Sequence, residues 1–231
     1  MNRARGPRQP EAVTNSNSAS RQLILDVAAG LFSSHGYAET GLREIADKVG
    51  IRPASVYHHF ESKDRILEEI LLTGVTQTAS AARAAVEALP ADANPRDRVE
   101  AAMGGHLRAV HQHIIYTSVN IKFRGQMPAS IGERIQPLRD EYTEYWRRLL
   151  ESAKRAGYLR SDLRIPLLRS LMLSAMNGTV IWFRTDQGPI QTLIDTTVAA
   201  FSGIWLKERS LASKAHIPAR RKSPRAARLS V

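Results

Sequence analysis

The sequence predicts an all-α protein. Three observations carry that expectation. Apolar residues recur at helical spacings along most of the 231 residues, and no segment alternates with a period of two. Hydrophobic residues make up 43% of the chain but aromatics only 6%, so most apolar positions are Ala, Leu, Ile and Val, a composition that leans helical. Glycine or proline marks the breaks, at Gly36, Gly50, Pro90 to Pro95, Gly157 and Gly188-Pro189.

The first helix is expected from Ser20 to His35, with Leu23, Ile24, Val27, Ala28, Leu31 and Phe32 on one stripe and Gly36 as C-cap. Leu42, Ile45, Ala46 and Val49 give a second helix of about two turns, closed by Gly50. Gly41 stands at its N-cap but has no side chain to complete a capping box with Glu44. Pro53 suits the first turn of a short third helix, Pro53 to His59, where a missing N–H costs nothing. Ser62 opens a long fourth helix to about Leu89. Beyond the Pro90 to Pro95 break, one helix is expected over Val99 to Ile115 and a short one over Ile121 to Met127. An amphipathic helix follows from Pro137 to Ala156, carrying Leu138, Tyr142, Tyr145, Trp146, Leu149 and Leu150. The last two, Leu167–Phe183 and Ile190–Leu206, are apolar over more of their circumference than one partner face requires. That breadth predicts a homodimer in which each subunit gives these two helices to a four-helix bundle.

The formal charge of +11 sits mostly in two tails. Residues 1–20 carry +2, residues 207–231 carry eight Lys or Arg against Glu208, and the middle is only +2. Segments 1–19 and 210–231 are expected to be disordered. The second, with "HIPARRKSPRAARLSV", is rich in Pro and Arg and has little to bury. It is either a solubility tail or an extra attraction to phosphates, and net charge does not separate the two. The absence of cysteine excludes disulfides and thiolate metal sites and fits a reducing compartment. The first twenty residues hold no apolar signal core, and no stretch approaches the roughly 18 apolar residues of a membrane span, so no membrane association and a cytoplasmic location are expected.

The second and third helices, joined by a tight turn at Gly50, have the layout of a helix-turn-helix, whose second member lies in the DNA major groove. Their residues go further. "GYAETGLREIADKVGIRPASVYHHFESKDRILEEIL" resembles the N-terminal signature of the TetR family of bacterial transcription regulators. The match lies in Gly36-Tyr37, Thr40, Ile45-Ala46, Gly50-Ile51, Val56-Tyr57, His59-Phe60 and Ser62-Lys63, within about residues 20–75. The remainder matches only in size and helical layout. The resemblance implies a three-helix DNA-binding domain over residues 20–66. A larger helical domain for ligand binding and dimerisation follows over 67–209. It also implies a dimeric repressor that leaves a palindromic double-stranded operator when a small molecule fills its C-terminal pocket. Neither a cofactor nor catalytic residues are expected. Gly41 and Arg52 depart from the family, which usually has small hydroxyl residues there to cap the two helices.

Tyr57 and His59 resemble family positions that hydrogen-bond phosphates, and Lys63 at the next helix start is expected to do the same. Ala54, Ser55 and His58 lie toward the groove, where short or ring side chains touch base edges or a thymine methyl. Arg43 and Arg52 can reach guanine O6 and N7. Thr40 offers a backbone or hydroxyl contact to phosphate. Val56 and Phe60, four apart, have the spacing to pack inward. Residues 21–75 carry six Lys or Arg against eight Asp or Glu, which argues against a sequence-blind binder held by bulk charge.

For the effector pocket the sequence offers Phe123, Met127, Tyr142, Trp146, Met172, Met176 and Trp182, with Asn177 and Arg124 as polar anchors. Methionines adapt to irregular shapes, so a medium-sized hydrophobic ligand is expected. Arg124, Arg169 and Arg184 would suit the acidic groups of an acyl or coenzyme A conjugate. Metal binding is not expected. His58 and His59 diverge by about 100° on a helix. His106 and His113 share a face but stand roughly 10 Å apart, too far for one zinc ion. No Gly-rich phosphate loop, G-x-S-x-G elbow or HExxH motif is present. The alternative function is a helical ligand-binding protein or an enzyme without a DNA role.

Overall fold

The computed structural model describes residues 10–123 and 127–206. Among them the elements are α1 (Pro10–His35), α2 (Leu42–Val49), α3 (Pro53–His59), α4 (Lys63–Glu87), α5 (Pro95–Gln112), α6 (Ile114–Lys122), α7 (Ala129–Arg155), α8 (Ile165–Trp182) and α9 (Ile190–Ala200). Two short 3-10 turns, Thr185–Gln187 and Ser202–Ile204, flank α9. The architecture is all-α, and an isolated antiparallel bridge joins Leu159 to Trp205.

Local chemistry sets the reading helices. Gly50 closes α2 in the left-handed region at φ 79°, which a glycine adopts without strain. Pro53 takes the first turn of α3, and the Ser62 hydroxyl caps α4 by accepting from the Arg65 N–H at 3.2 Å. Neither Gly41 nor Arg52 gives its helix a side-chain cap, as their residue types suggested.

Several boundaries differ from expectation. Residues 10–19 continue α1 rather than forming part of a disordered arm. Pro10 is tolerated in a first turn, and no glycine or proline follows before Gly30. Helix α5 starts at Pro95, because the Asn94 side chain accepts from the Asp97 N–H at 2.9 Å. It stops at Gln112. After His113 a new helix, α6, occupies Ile114–Lys122, where a helix ending at Ile115 and another beginning at Ile121 were expected. Helix α7 begins eight residues before Pro137, which sits at an exposed position inside the helix. The last helix ends at Ala200 rather than Leu206. Arg160 N–H bonds Ile204 O and Leu206 N–H bonds Tyr158 O, drawing Ile204 and Trp205 into the chain's own core. They therefore leave the expected interface span Ile190–Leu206. Arg124 and both basic ends of the chain lie outside the described residues.

The core forms two clusters. The first holds residues of α1 to α3, Phe60, the Ile66–Leu71 end of α4, Tyr116 and Val119 of α6, Phe123 just after it, and Ile131 and Ile135 of α7. The core of the reading head thus reaches well past residue 66. The second cluster holds Ala79, Ala82 and Val86 of α4 with α5, the rest of α7, α8 and α9. Helix α4, roughly 37 Å long at 1.5 Å per residue, belongs to both. It crosses its neighbours closely. A Cβ at Gly105 would lie 2.5 Å from Ala81 O, and one at Gly74 would lie 2.6 Å from Asn120 Nδ2.

Candidate DNA-reading surface and effector cavity

In α3 the periodicity divides the side chains cleanly. Val56 and Phe60 are buried, and each such burial stabilises by about 1.5–3 kcal/mol. Arg52, Ala54, Tyr57 and His58 are exposed, with Ser55 and His59 half-buried. Tyr57 is 58% exposed, which is uncommon for a tyrosine that packs. Arg43 projects from the exposed side of α2. The Arg21 guanidinium covers the Phe60 ring at 4.5 Å and pairs with Glu69. The His59 imidazole is held below its ordinary pKa, first by desolvation and then by His58 and Arg21.

Two expected phosphate contacts have other partners. Thr40 has no exposed surface, and its hydroxyl donates to Gly36 O at 2.8 Å. The Thr40 hydroxyl thus has an internal acceptor, which leaves the backbone for the expected phosphate contact. Lys63 Nζ donates to Tyr37 O at 2.8 Å, Thr40 O at 2.9 Å and Ala38 O at 3.3 Å. Its three N–H groups match those three carbonyls, and the ammonium lies 4.4 Å from the Tyr37 ring centre. Lys63 staples the α1–α2 loop to α4. The neighbouring Asp64 adds a bond to the Tyr37 hydroxyl.

Between α4, α5, α6, α7 and α8 lies a cavity of about 490 Å³. Of the residues proposed from sequence, Tyr142, Asn177 and Arg169 line it. Trp146, Met172 and Met176 are fully buried in the body core instead. Phe123 and Met127 pack on the head cluster, and Trp182 is 55% exposed. Periodicity marked these residues as apolar and inward, but most of them face protein rather than empty space. The cavity is more polar than expected. Sequence reasoning missed His106, Asn120 and Arg139. A histidine inside an otherwise apolar helix stripe is the signal that marks His106.

His106 is 1% exposed. Its Nε2 lies 3.3 Å from Asn177 Oδ1, which can only accept, so Nε2 carries the hydrogen and Nδ1 accepts from the Tyr142 hydroxyl at 2.8 Å. Burial pushes the imidazole pKa down to about 4, keeping it neutral at pH 7, and desolvation raises the Tyr142 phenol. These groups form a neutral hydrogen-bonding wall. Arg139 and Arg169 supply positive charge. Ser170, Ser174 and Ile181 line the cavity and are also exposed, so it opens along α8. Among the described residues no group of three or more metal-ligating side chains occurs, and no helix is long and apolar enough to cross a membrane.

Residues 24–70 match the family described as bacterial regulatory proteins, tetR family, and residues 92–194 match the tetracyclin repressor-like C-terminal domain. The HTH-type transcriptional repressor KstR2 of Rhodococcus jostii strain RHA1 is 30% identical over 178 residues, covering 76% of this chain and 85% of that protein. The structure of the ketosteroid transcriptional regulator KstR2 of Mycobacterium tuberculosis superposes with a TM-score of 0.72 at 27% identity, covering 81% of this chain and 95% of that one. AibR, solved with isovaleryl coenzyme A and operator DNA, shares the fold with a TM-score of 0.69 at 21% identity, covering 78% of this chain and 97% of its own.

Proposed function

The chain belongs to the TetR family of bacterial transcriptional regulators, and from that premise we propose a homodimeric repressor that a small ligand releases from a palindromic operator. The ligand is hydrophobic or of the acyl or acyl-coenzyme A type and occupies the cavity between α4 and α8. The observation that carries this reading is the sharing of α4 and α6 between head and cavity. Thr117, Asn120 and Ile121 of α6 face the cavity. From the same helix, Tyr116 donates to Asp26 of α1 at 2.6 Å and Lys122 donates to Ser33 O at 2.9 Å. A ligand that shifts α6 or α4 therefore displaces the head.

Operator contact falls to Arg43 and Arg52 as base readers, to Ala54, Ser55 and His58 at the groove, and to Tyr57 and His59 on phosphates. The dimer form is supported by the outer face of α8, where Leu167, Leu171 and Trp182 are 57%, 65% and 55% exposed. Two heads must then meet half-sites about 34–36 Å apart, or a multiple of that. A ligand that prefers the non-binding spacing needs a coupling of about 1–3 kcal/mol to act. The complex of AibR with isovaleryl coenzyme A and operator DNA supports a thioester ligand for this fold. Fluorescence anisotropy on a palindromic operator, with sedimentation in parallel, tests the reading. Dimers that bind the operator and release it with an acyl compound are expected. A monomer at micromolar concentration, or equal affinity for operator and scrambled DNA, would overturn it.

A further inference from the structure

Tyr142 of α7, His106 of α5 and Asn177 of α8 form a hydrogen-bonded chain along the cavity wall. A neutral imidazole carries one N–H, so the ends of the chain set the order of its hydrogens. The Asn177 oxygen can only accept, which places the hydrogen on His106 Nε2, and Nδ1 then takes the Tyr142 hydroxyl hydrogen. The imidazole is 1% exposed and meets the Trp146 ring edge to face at 6.2 Å, so packing holds it as well as its two bonds. The bond to Oδ1 fixes which way the Asn177 amide faces. Its Nδ2 has no acceptor among the described residues and is not sealed from solvent, and Asn177 lines the cavity.

Neighbouring donors are engaged within the protein. Thr78 donates to Gly74 O at 2.8 Å, Thr117 to Val110 O at 2.7 Å and Asn120 Nδ2 to Leu71 O at 3.0 Å. Among the amide and imidazole N–H groups of the described residues that line the cavity, those on Asn177 Nδ2 are the ones without an acceptor. There is room beside them: a Cβ at Gly178, which also lines the cavity, would meet no atom within 4 Å. An N–H that loses water without gaining an acceptor weakens a complex, so the ligand must bring the acceptor. The Tyr142–His106–Asn177 wall is neutral, and a carbonyl oxygen accepts from an amide without a counter-charge.

On the reading that this cavity is the effector site, we propose that Asn177 recognises a neutral carbonyl oxygen of the effector and that His106 is the positioning residue that keeps the Asn177 N–H groups turned toward it. Tyr142 sets the tautomer, the tautomer sets the amide, and the amide selects an acceptor. The opposite tautomer would turn the amide over, present Oδ1 and select a ligand hydroxyl instead.

The test compares isovaleryl coenzyme A with the isopentyl thioether of coenzyme A, in which a methylene replaces the carbonyl and the charge is the same. Titration calorimetry reads the two affinities, and their ratio is the measured quantity. Damage to the fold weakens both compounds alike and leaves the ratio unchanged. The unaltered protein is expected to bind the thioester about tenfold more tightly than the thioether. Asn177→Ala should bring that ratio to about one by weakening the thioester alone. His106→Phe, which frees the amide to turn, should bring the ratio most of the way to one. His106→Gln, whose amide can donate from the same place, should keep it. In the ligand-free protein, nitrogen NMR of the imidazole should show the hydrogen on Nε2. Equal affinity of the unaltered protein for both compounds, or a full ratio in Asn177→Ala, overturns carbonyl recognition by Asn177. A full ratio in His106→Phe, or a hydrogen on Nδ1, overturns the positioning role of His106. If neither compound binds the unaltered protein, the acyl-ligand reading fails and carbonyl recognition falls with it. The tautomer then still decides which way Asn177 faces.

Discussion

Helix α3 turns Val56 and Phe60 into its own core and leaves Arg52, Ala54, Tyr57 and His58 to solvent. The body does the reverse. Its polar groups of interest, His106, Asn177 and Asn120, point into a cavity, while Leu167, Leu171 and Trp182 are exposed. In the head, the proposed recognition and the folding use different side chains of one short helix. In the body the proposed ligand wall and the fold use the same ones, since His106 is buried, a hydrogen-bond partner of Tyr142 and part of the cavity wall at once. Substitutions at the reading surface should therefore separate binding from stability, and substitutions at the cavity should not.

The largest effect that probes this contrast is Phe60→Ala. Loss of the buried ring should cost about 3–5 kcal/mol and abolish operator binding, as in other large-to-small core changes. The body, whose cluster does not include Phe60, should keep its ligand response in a thermal-shift titration. Simultaneous loss of that response would show that the two clusters do not act as separate units.

Arg43→Ala comes next. It should cost about 1–3 kcal/mol of discrimination between operator and mismatched DNA while the melting temperature stays unchanged. Tyr57→Phe should instead weaken binding by similar amounts on every sequence. Gel-shift titrations on matched and scrambled operators separate the two, and equal losses on both for Arg43→Ala would remove it from base reading.

In the body the corresponding probe is pH. The folded His106 resists protonation down to about 4, whereas its ordinary value is 6.5. The unfolded chain therefore binds the proton first as pH falls. Stability present above 6.5 is lost through the window from 6.5 toward 4, with a slope of up to about 1.4 kcal/mol per pH unit. Melting curves at several pH values should show a shallower decline for His106→Gln. Parallel declines for both proteins would place the acid sensitivity elsewhere.

The smallest effect concerns Lys63. Because its ammonium is directed at three carbonyls, Lys63→Met should lower stability by about 1 kcal/mol and leave the salt dependence of operator binding unchanged. A drop of about 0.9 in the slope of log affinity against log salt would return Lys63 to the phosphate contacts.

Along this chain, what was legible followed the reach of local rules. The turn at Gly50, the start at Pro53 and the cap at Ser62 depend on single residue types, and α2, α3 and the beginning of α4 formed where they pointed. The inward pair Val56 and Phe60 needed only a spacing of four. Elsewhere the limits came from packing. Helix α6 packs on the head cluster on one side and lines the cavity on another, so its place depends on Asp26, Ser33 and Leu71, residues far away in sequence. Ile204 and Trp205 keep the helical spacing of α9, but the Tyr158–Arg160 segment after α7 gives Ile204 and Leu206 backbone partners.

By itself the sequence determined the all-α class, the helix-turn-helix and the family. Each rests on patterns repeated every three to four residues or on residues at fixed short offsets. Only the tertiary structure decided which inward residues border open space, and that Thr40 and Lys63 serve the loop. The reason is geometric. A helix period says which side of a helix faces in, whereas a cavity wall is set by side chains such as His106, Asn120, Arg139 and Asn177, which meet only when four helices pack.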